Sequence, residues 1–491
     1  MKWYIKSFSF VFAIVLILNM VSCKENQQSG LEDTDQGAVL ETNTDIEEET
    51  IDREYPNLPE VEYSGYDYNI FAFELGGRYM DLVPVEDTST AINDAVYRRN
   101  LTIEEKYGIS INATYEPYIT MATKYSDFVA AGEKYYNLAV IRGGEIPVVF
   151  NSGVCRNLYD LEYLDFSKPW WDSNCTDQFT IKNVMYIASS DLTLNDKADT
   201  GCVYFNKTVY ENQLVNSYGS LYDIVNDGKW TLDKLLQMSN SVKNDLNGNG
   251  TVDNDDVFGI TSFPDAPVQM LAGGAARIVE TDESGIPVSS FKSERNFDLL
   301  KKAVEMVYTE DMYNNLNYSG ANPGTLLSEN RVLFYITSLI ALEGLRSLDV
   351  ELGIVPTPKY TEEQDSYYSN VYLTGSSFIT VPKTVEDLDY TGIILEALSA
   401  ESRYTLILDA YYETALKGKY ARDQESQPML DIILSNRSHD IGIYLATGGF
   451  YYAIFDMSYN NDSNVASRFA QCEQMITTDI ENLIKMVESN G

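Results

Sequence analysis

"YNIFAF" (68–73), "ISINATY" (109–115) and "NLAVIRGG" (137–144) are short apolar runs rich in β-branched and aromatic residues, and longer amphipathic stretches separate them. The runs have strand length and strand composition. Between the first two, "TSTAINDAVYRRNLTIEEKYG" (88–108) predicts a helix with apolar Ile92, Val96 and Leu101, and "MATKYSDFVAAGE" (121–133) predicts a second helix before the third run. Strands alternating with helices predict a parallel sheet, so the fold class is α/β.

At 491 residues the chain exceeds one compact core and predicts two domains of roughly 150–250 residues each. A second unit begins with "FNKTVYEN" (205–212) and the helix "TLDKLLQMSNSVKN" (231–244). There Thr231 can accept from the free amides of the helix start, while Leu232, Leu235, Leu236 and Val242 line one face.

The N-terminus carries Lys2 and Lys6, then the apolar run "FVFAIVLILNMVS" (10–22), then Cys23 and polar sequence. The run is too short to span a bilayer and reads as a signal peptide over residues 1–22. "MVSC" (20–23) resembles a bacterial lipobox, whose cysteine becomes the acylated N-terminus. Residues 23–60 are acidic and poor in aromatics, cannot bury enough to fold, and read as a tether. The body is thus expected outside the cytoplasm, lipid-anchored to the cell membrane.

The net charge of -39, from 74 acids against 35 bases, repels nucleic acid and anionic membrane surfaces, leaving neutral or cationic ligands. With His439 the single histidine, a histidine-rich zinc site is excluded and any Ser-His-Asp triad would have to use it. Cys155, Cys175, Cys202 and Cys472 allow three full pairings or free thiols.

"NDLNGNGTVDNDDVFGI" (244–260) has the spacing of a calcium loop. Asp245, Asn247 and Asn249 alternate, Gly250 stands sixth, Thr251 seventh through its carbonyl, Asp253 ninth and Asp256 twelfth. A sensor would need a second helix directly after the loop, whereas the strand-like "VFGI" follows. A bound Ca2+ would therefore be structural, and an Asp at position twelve reaches less far than the usual Glu.

The stretches "NDAVYRRNLTIEEKYG", "SKPWWD", "GCVYFNKTVYEN", "SLYDIVNDGKWTLDKLLQMS" with "DLNGNG", "LGIVPTPKY" and "SAESRYTLILDAYYETALKGKYARDQESQPMLDIIL" occur in an order and spacing that resemble one family. It is the extracellular solute-binding lipoproteins of bacterial ABC importers, carbohydrate-type branch, over roughly residues 60–490. The resemblance implies a two-lobed periplasmic-binding-protein-like fold (type II-like), a monomer that captures a neutral carbohydrate and passes it to ABC permease subunits, and no enzymatic activity. It further implies a first lobe of 66–190 plus 375–424 and a second of 200–370 plus 425–491, the latter holding the loop 245–256. The crossings fall near "ASSDLTLNDKAD" (188–199) and "NVYLTGSSFITVP" (370–382).

Sugars are held by ring faces and by planar polar groups, and tyrosines number 37 against 19 phenylalanines. The candidate ligand-binding residues are Trp170 and Trp171, Arg142 after a strand, Asp191 and Asn195 at the first crossing, and Ser376 and Ser377 at the second. Two rivals stand beside this reading. A glycan-active enzyme would need a carboxylate pair across a cleft. A surface glycan-binding or sensing lipoprotein of helical-repeat type would lack the strand–helix alternation.

Overall fold

The first strand, β1 (Tyr66–Glu74), is buried from Tyr68 through Phe73, as a strand covered on both faces must be. It pairs in parallel with β2 (Ile109–Pro117), Tyr66 opposite Ile109, and with β3 (Leu138–Arg142), Ile70 opposite Leu138. Helix α1 (Ala91–Tyr107) makes the first crossover; Thr90 caps it by accepting from the Asn93 amide, and Gly108 ends it at φ 68. Its buried face is Val96, Arg99, Ile103 and Tyr107, with Ile92 half-buried and Leu101 exposed. Ile92 and Val96 thus share the core face with Arg99, Ile103 and Tyr107, whereas Leu101 lies on the opposite side of the helix. Helix α2 (Tyr118–Ala130) makes the second crossover. This computed structural model describes residues 53–490 except 77, 79, 87, 251–252, 254, 310–311, 314–321 and 419–424. The signal segment 1–22, Cys23 and most of the tether lie outside the described residues.

A second sheet is built from β4 (Gly201–Asn206), β5 (Phe258–Thr261), β6 (Met312–Tyr313), β7 (Val332–Ser338) and β8 (Leu352–Pro356), in the order β8-β4-β7-β5-β6. β4 runs antiparallel to β7 and β8, and β5 parallel to β6 and β7. Helix α3 (Leu232–Val242) is capped by Thr231, which accepts from the Lys234 amide. It buries Leu232, Leu235, Met238 and Val242, whereas Leu236 is half-buried. α4 (Ala266–Gly273) follows β5 and is buried on every side.

Two connections run side by side between the sheets. Ala188 pairs with Ile379 and Thr200 with Val371, both antiparallel, and β9 (Ser377–Thr380) leaves the second connection to close the first sheet against β3. α5 (Leu388–Ser402) continues as a π-helix over Arg403–Lys417 that packs on α1. The helix Ser426–Ser435 then packs on β8. The chain ends in α6 (Val465–Asn490). Cys155, Cys175, Cys202 and Cys472 are free thiols, the first three buried. No described helix is long and apolar enough to cross a membrane.

Buried charge ties the connections to both lobes. Asp172 accepts from Arg437 at 2.7 Å, Arg437 also meets Asp196 at 3.4 Å, and Lys197 lies 3.1 Å from both Asp191 and Asp196. Burial alone would raise the Asp172 carboxyl, but Arg437 and His439 hold it well below the usual carboxylate range. His439 is buried with Nε2 3.1 Å from Asp172 Oδ2.

Candidate functional site

Ligands of open α/β sheets sit beyond the carboxyl ends of the strands, and here those ends converge on a cavity of about 790 Å3. Arg78 comes from the segment after β1, Phe263 and Asp265 from the turn after β5, and Tyr335 from β7. Asp199 ends the first connection, and Tyr372 and Thr374 lie on the second. Both sheets and both connections thus contribute to one space.

Arg99, fully buried in α1, holds the rim from behind. Its guanidinium donates to the carbonyls of Asp81 (2.9 Å) and Leu82 (2.8 Å), which follow Arg78, and to the Leu192 carbonyl of the first connection (3.1 Å). Burial brings Arg99 down to about 10. The Tyr372 ring is fixed by its hydroxyl, which donates to Gln269 Oε1 at 2.5 Å. Gln269 in turn donates to the Cys202 carbonyl and the Thr357 hydroxyl.

Asp199 is the cavity's most constrained acid, 5% exposed. Ser338 donates to its Oδ1 at 3.4 Å, while Oδ2 accepts no hydrogen bond and has Arg78 Nη1 at 3.6 Å. Burial pushes the carboxyl up to about 6, with Arg78 and Ser338 pulling the other way. Gly375 leaves room for this carboxylate, which a Cβ there would overlap and displace. Asp265 stands at the start of α4 without using its side chain as the cap. It keeps part of its surface open to the cavity, yet its surroundings are close enough that burial pushes it up to about 6. The unpartnered Asp199 oxygen and the Asp265 carboxylate can accept from ligand hydroxyls or amines, and the rings of Phe263, Tyr335 and Tyr372 beside them can stack on a sugar's C–H face.

None of the seven residues expected to bind ligand lines this cavity. Trp170 (0% exposed) and Trp171 (4%) are inside the first lobe, where their indole N–H groups donate to the two oxygens of Glu396 at 3.0 and 2.9 Å. An adjacent pair must find cover or a ligand, and here both rings find cover, with Glu396 of α5 as their polar partner. Burial pushes Glu396 up to about 7 against those two bonds. Arg142 is clasped by Glu145, donates to the Thr374 carbonyl at 3.2 Å, and lies 4.0 Å over the Tyr118 ring. Asp191 is taken by Lys197 and Arg403, each at 3.1 Å. Asn195 is buried in the short helix Asn195–Ala198. Ser376 is buried against Gly143, and the Ser377 hydroxyl meets that of Thr193 at 2.6 Å. Asp199, Tyr372 and Thr374 lie in the stretches read as crossings. Arg78, Phe263, Asp265 and Tyr335 carry no local sequence signal that separates them from other polar or aromatic positions.

The loop after α3 is closed by the Asn244–Val257 pair. Asp245 accepts from the Gly248 and Gly250 amides (2.7 and 2.8 Å), and Asp256 from those of Leu246 and Asp253 (3.0 and 2.8 Å). Asn247 and Asn249 donate to Asp253, whose carboxyl the Asp255 amide and these two side chains hold below the usual range. Gly248 and Gly250 have φ of 69 and 78, where glycine is favoured. The donors are hard oxygens, as Ca2+ requires, although no three described Asp, Glu, His or Cys side chains are gathered as a metal cluster. Thr251 lies outside the described residues.

No protein-family model and no curated protein matches this sequence. Solved structures do match in fold. An ABC substrate-binding protein from Listeria monocytogenes in complex with cycloalternan is 12% identical with a TM-score of 0.52, over 86% of this chain and 99% of that one. A cyclic α-maltosyl-1,6-maltose binding protein from Arthrobacter globiformis is 13% identical with a TM-score of 0.52, over 85% and 99%. A cyclo/maltodextrin-binding protein complexed with maltotetraose is 12% identical with a TM-score of 0.53, over 87% and 98%. The chain has the two-lobed α/β fold of these solute-binding proteins.

Proposed function

We propose that this protein is the ligand-capturing component of a bacterial ABC importer, holding a carbohydrate between its two lobes without chemistry. The observation that carries the reading is the pairing, in one cavity between the strand ends, of aromatic faces with the Asp199 carboxylate, whose buried Oδ2 accepts no hydrogen bond, and with Asp265, whose side chain does not cap its helix. Similarly folded proteins hold maltotetraose and cycloalternan in the same architecture. In this reading the body is a monomer outside the cytoplasm, anchored through acylated Cys23, and it delivers its ligand to the permease subunits. The loop from Asp245 to Asp256 takes one Ca2+ and serves to hold the end of α3 against β5.

A thermal-shift screen of the full-length protein against mono- and oligosaccharides tests the reading, because a ligand of the folded state stabilises by mass action. Saturable stabilisation by a sugar, lost in Tyr372→Ala, is expected. New reducing ends released from a bound oligosaccharide by the pure protein would replace capture with hydrolysis, and the absence of any sugar response would remove the carbohydrate reading.

A further inference from the structure

The charges that line the cavity are unbalanced. Among the described lining residues Asp199, Asp265, Glu329 and Glu343 are acidic, and the one base is Arg78, whose side chain is 43% exposed; Glu329 is paired with Arg331 at 2.7 Å. A neutral polyol would donate hydrogen bonds to Asp199 and Asp265 but leave their charge uncompensated on closure. Water is then expelled and the local dielectric falls, which makes unpaired buried charge costly. Asp199 shows the shortfall: it is only 5% exposed, its Oδ2 accepts no hydrogen bond, and Arg78 stands beyond hydrogen-bond distance at 3.6 Å. Gly375 leaves the room that this carboxylate occupies. Asp265 likewise leaves its helix uncapped. The rings of Phe263, Tyr335 and Tyr372 line the same space, and aromatic faces attract ammonium groups as well as sugar C–H surfaces.

We propose that the ligand is a cationic amino sugar or an oligosaccharide containing one, its ammonium group received by Asp199 and Asp265 beside the tyrosine faces. This rests on the carbohydrate reading and narrows it. The two carboxylates would accept charge-assisted hydrogen bonds, and the rings would cover the sugar. Long-range attraction adds to this, since a chain of net charge -39 concentrates cations at its surface.

Titration calorimetry of the full-length protein with glucosamine oligomers, with their fully N-acetylated counterparts of equal length, with malto-oligosaccharides and with spermidine separates the outcomes. N-acetylation removes the charge and keeps the skeleton. The free amines are expected to bind roughly ten- to a hundredfold tighter than the N-acetylated forms, the scale of one charge-assisted hydrogen bond, and the preference should shrink at high salt. Asp199→Asn and, separately, Asp265→Asn should each reduce it; circular dichroism confirms folding, and either variant suffices if the other fails to fold. Equal or tighter binding of the neutral oligomers overturns the proposal and leaves the carbohydrate reading intact. Binding of spermidine with no sugar bound overturns the carbohydrate reading, and with it the amino-sugar assignment. No binding by any probe overturns both.

Discussion

Replacing Asp199 by Asn should stabilise the unliganded protein at neutral pH. The carboxyl stands at about 6 in the folded chain against an ordinary value of 3.8, with burial as the principal cause. A difference of about two units corresponds to about 3 kcal/mol between the protonation states. The sign follows from linkage. A folded-state value above the unfolded one means that the folded chain holds the proton more tightly, so this contribution is fully present below pH 3.8 and is lost as pH rises through about 6. Above that pH the wild type carries a buried charge that Asn does not. The substitution also removes the Arg78 pair, which is half exposed and worth at most about 1 kcal/mol. A net gain of about 2–3 kcal/mol is expected at pH 7.5, falling toward zero or reversing near pH 4. Urea unfolding of both proteins at the two pH values, followed by circular dichroism, measures it. A variant less stable than wild type at pH 7.5, or a difference that does not change with pH, would refute the view that Asp199 is held charged at a cost to stability.

Trp170→Ala and Trp171→Ala should each destabilise by about 3–5 kcal/mol through the cavities they leave, while affinity for any identified sugar changes less than twofold in calorimetry. Asp245→Ala should lower the melting temperature more in calcium than in chelator, where only its bonds to the Gly248 and Gly250 amides are lost; a wild type that melts identically in both has no ordered cation site. Arg437→Met leaves Asp172 and Asp196 facing each other without their shared guanidinium and should cost about 3–5 kcal/mol in denaturant unfolding. Intact-mass analysis of membrane-extracted protein should show a chain beginning at acylated Cys23, and an unlipidated chain still beginning at Met1 would overturn the anchor.

The first sheet was legible because strand identity is local: the apolar runs at 68–73, 109–115 and 137–144 are short, bounded and separated by amphipathic helices. The connections were legible too, as the segments 188–199 and 370–382. Within them the choice of residues failed, and it failed in one way. Asp191 and Asn195 were expected where Asp199 lines the cavity, and Ser376 and Ser377 where Tyr372 and Thr374 do. Which residue of a connection faces the cavity is set by how the two connections pair, Ala188 with Ile379 and Thr200 with Val371, and that register joins positions far apart in the chain. The tryptophans make the same point through hydrogen bonding. An indole pair behind "SKP" leaves open whether the rings find cover or a ligand until Glu396, 226 residues from Trp170, satisfies both N–H groups. The contrast between Asp191 and Asp199 follows directly. Two aspartates eight residues apart by number carry the same chemistry, but Lys197 and Arg403 neutralise the first and only a distant, half-exposed Arg78 approaches the second. The capacity to receive a ligand therefore belongs to the residue whose partners the fold leaves out.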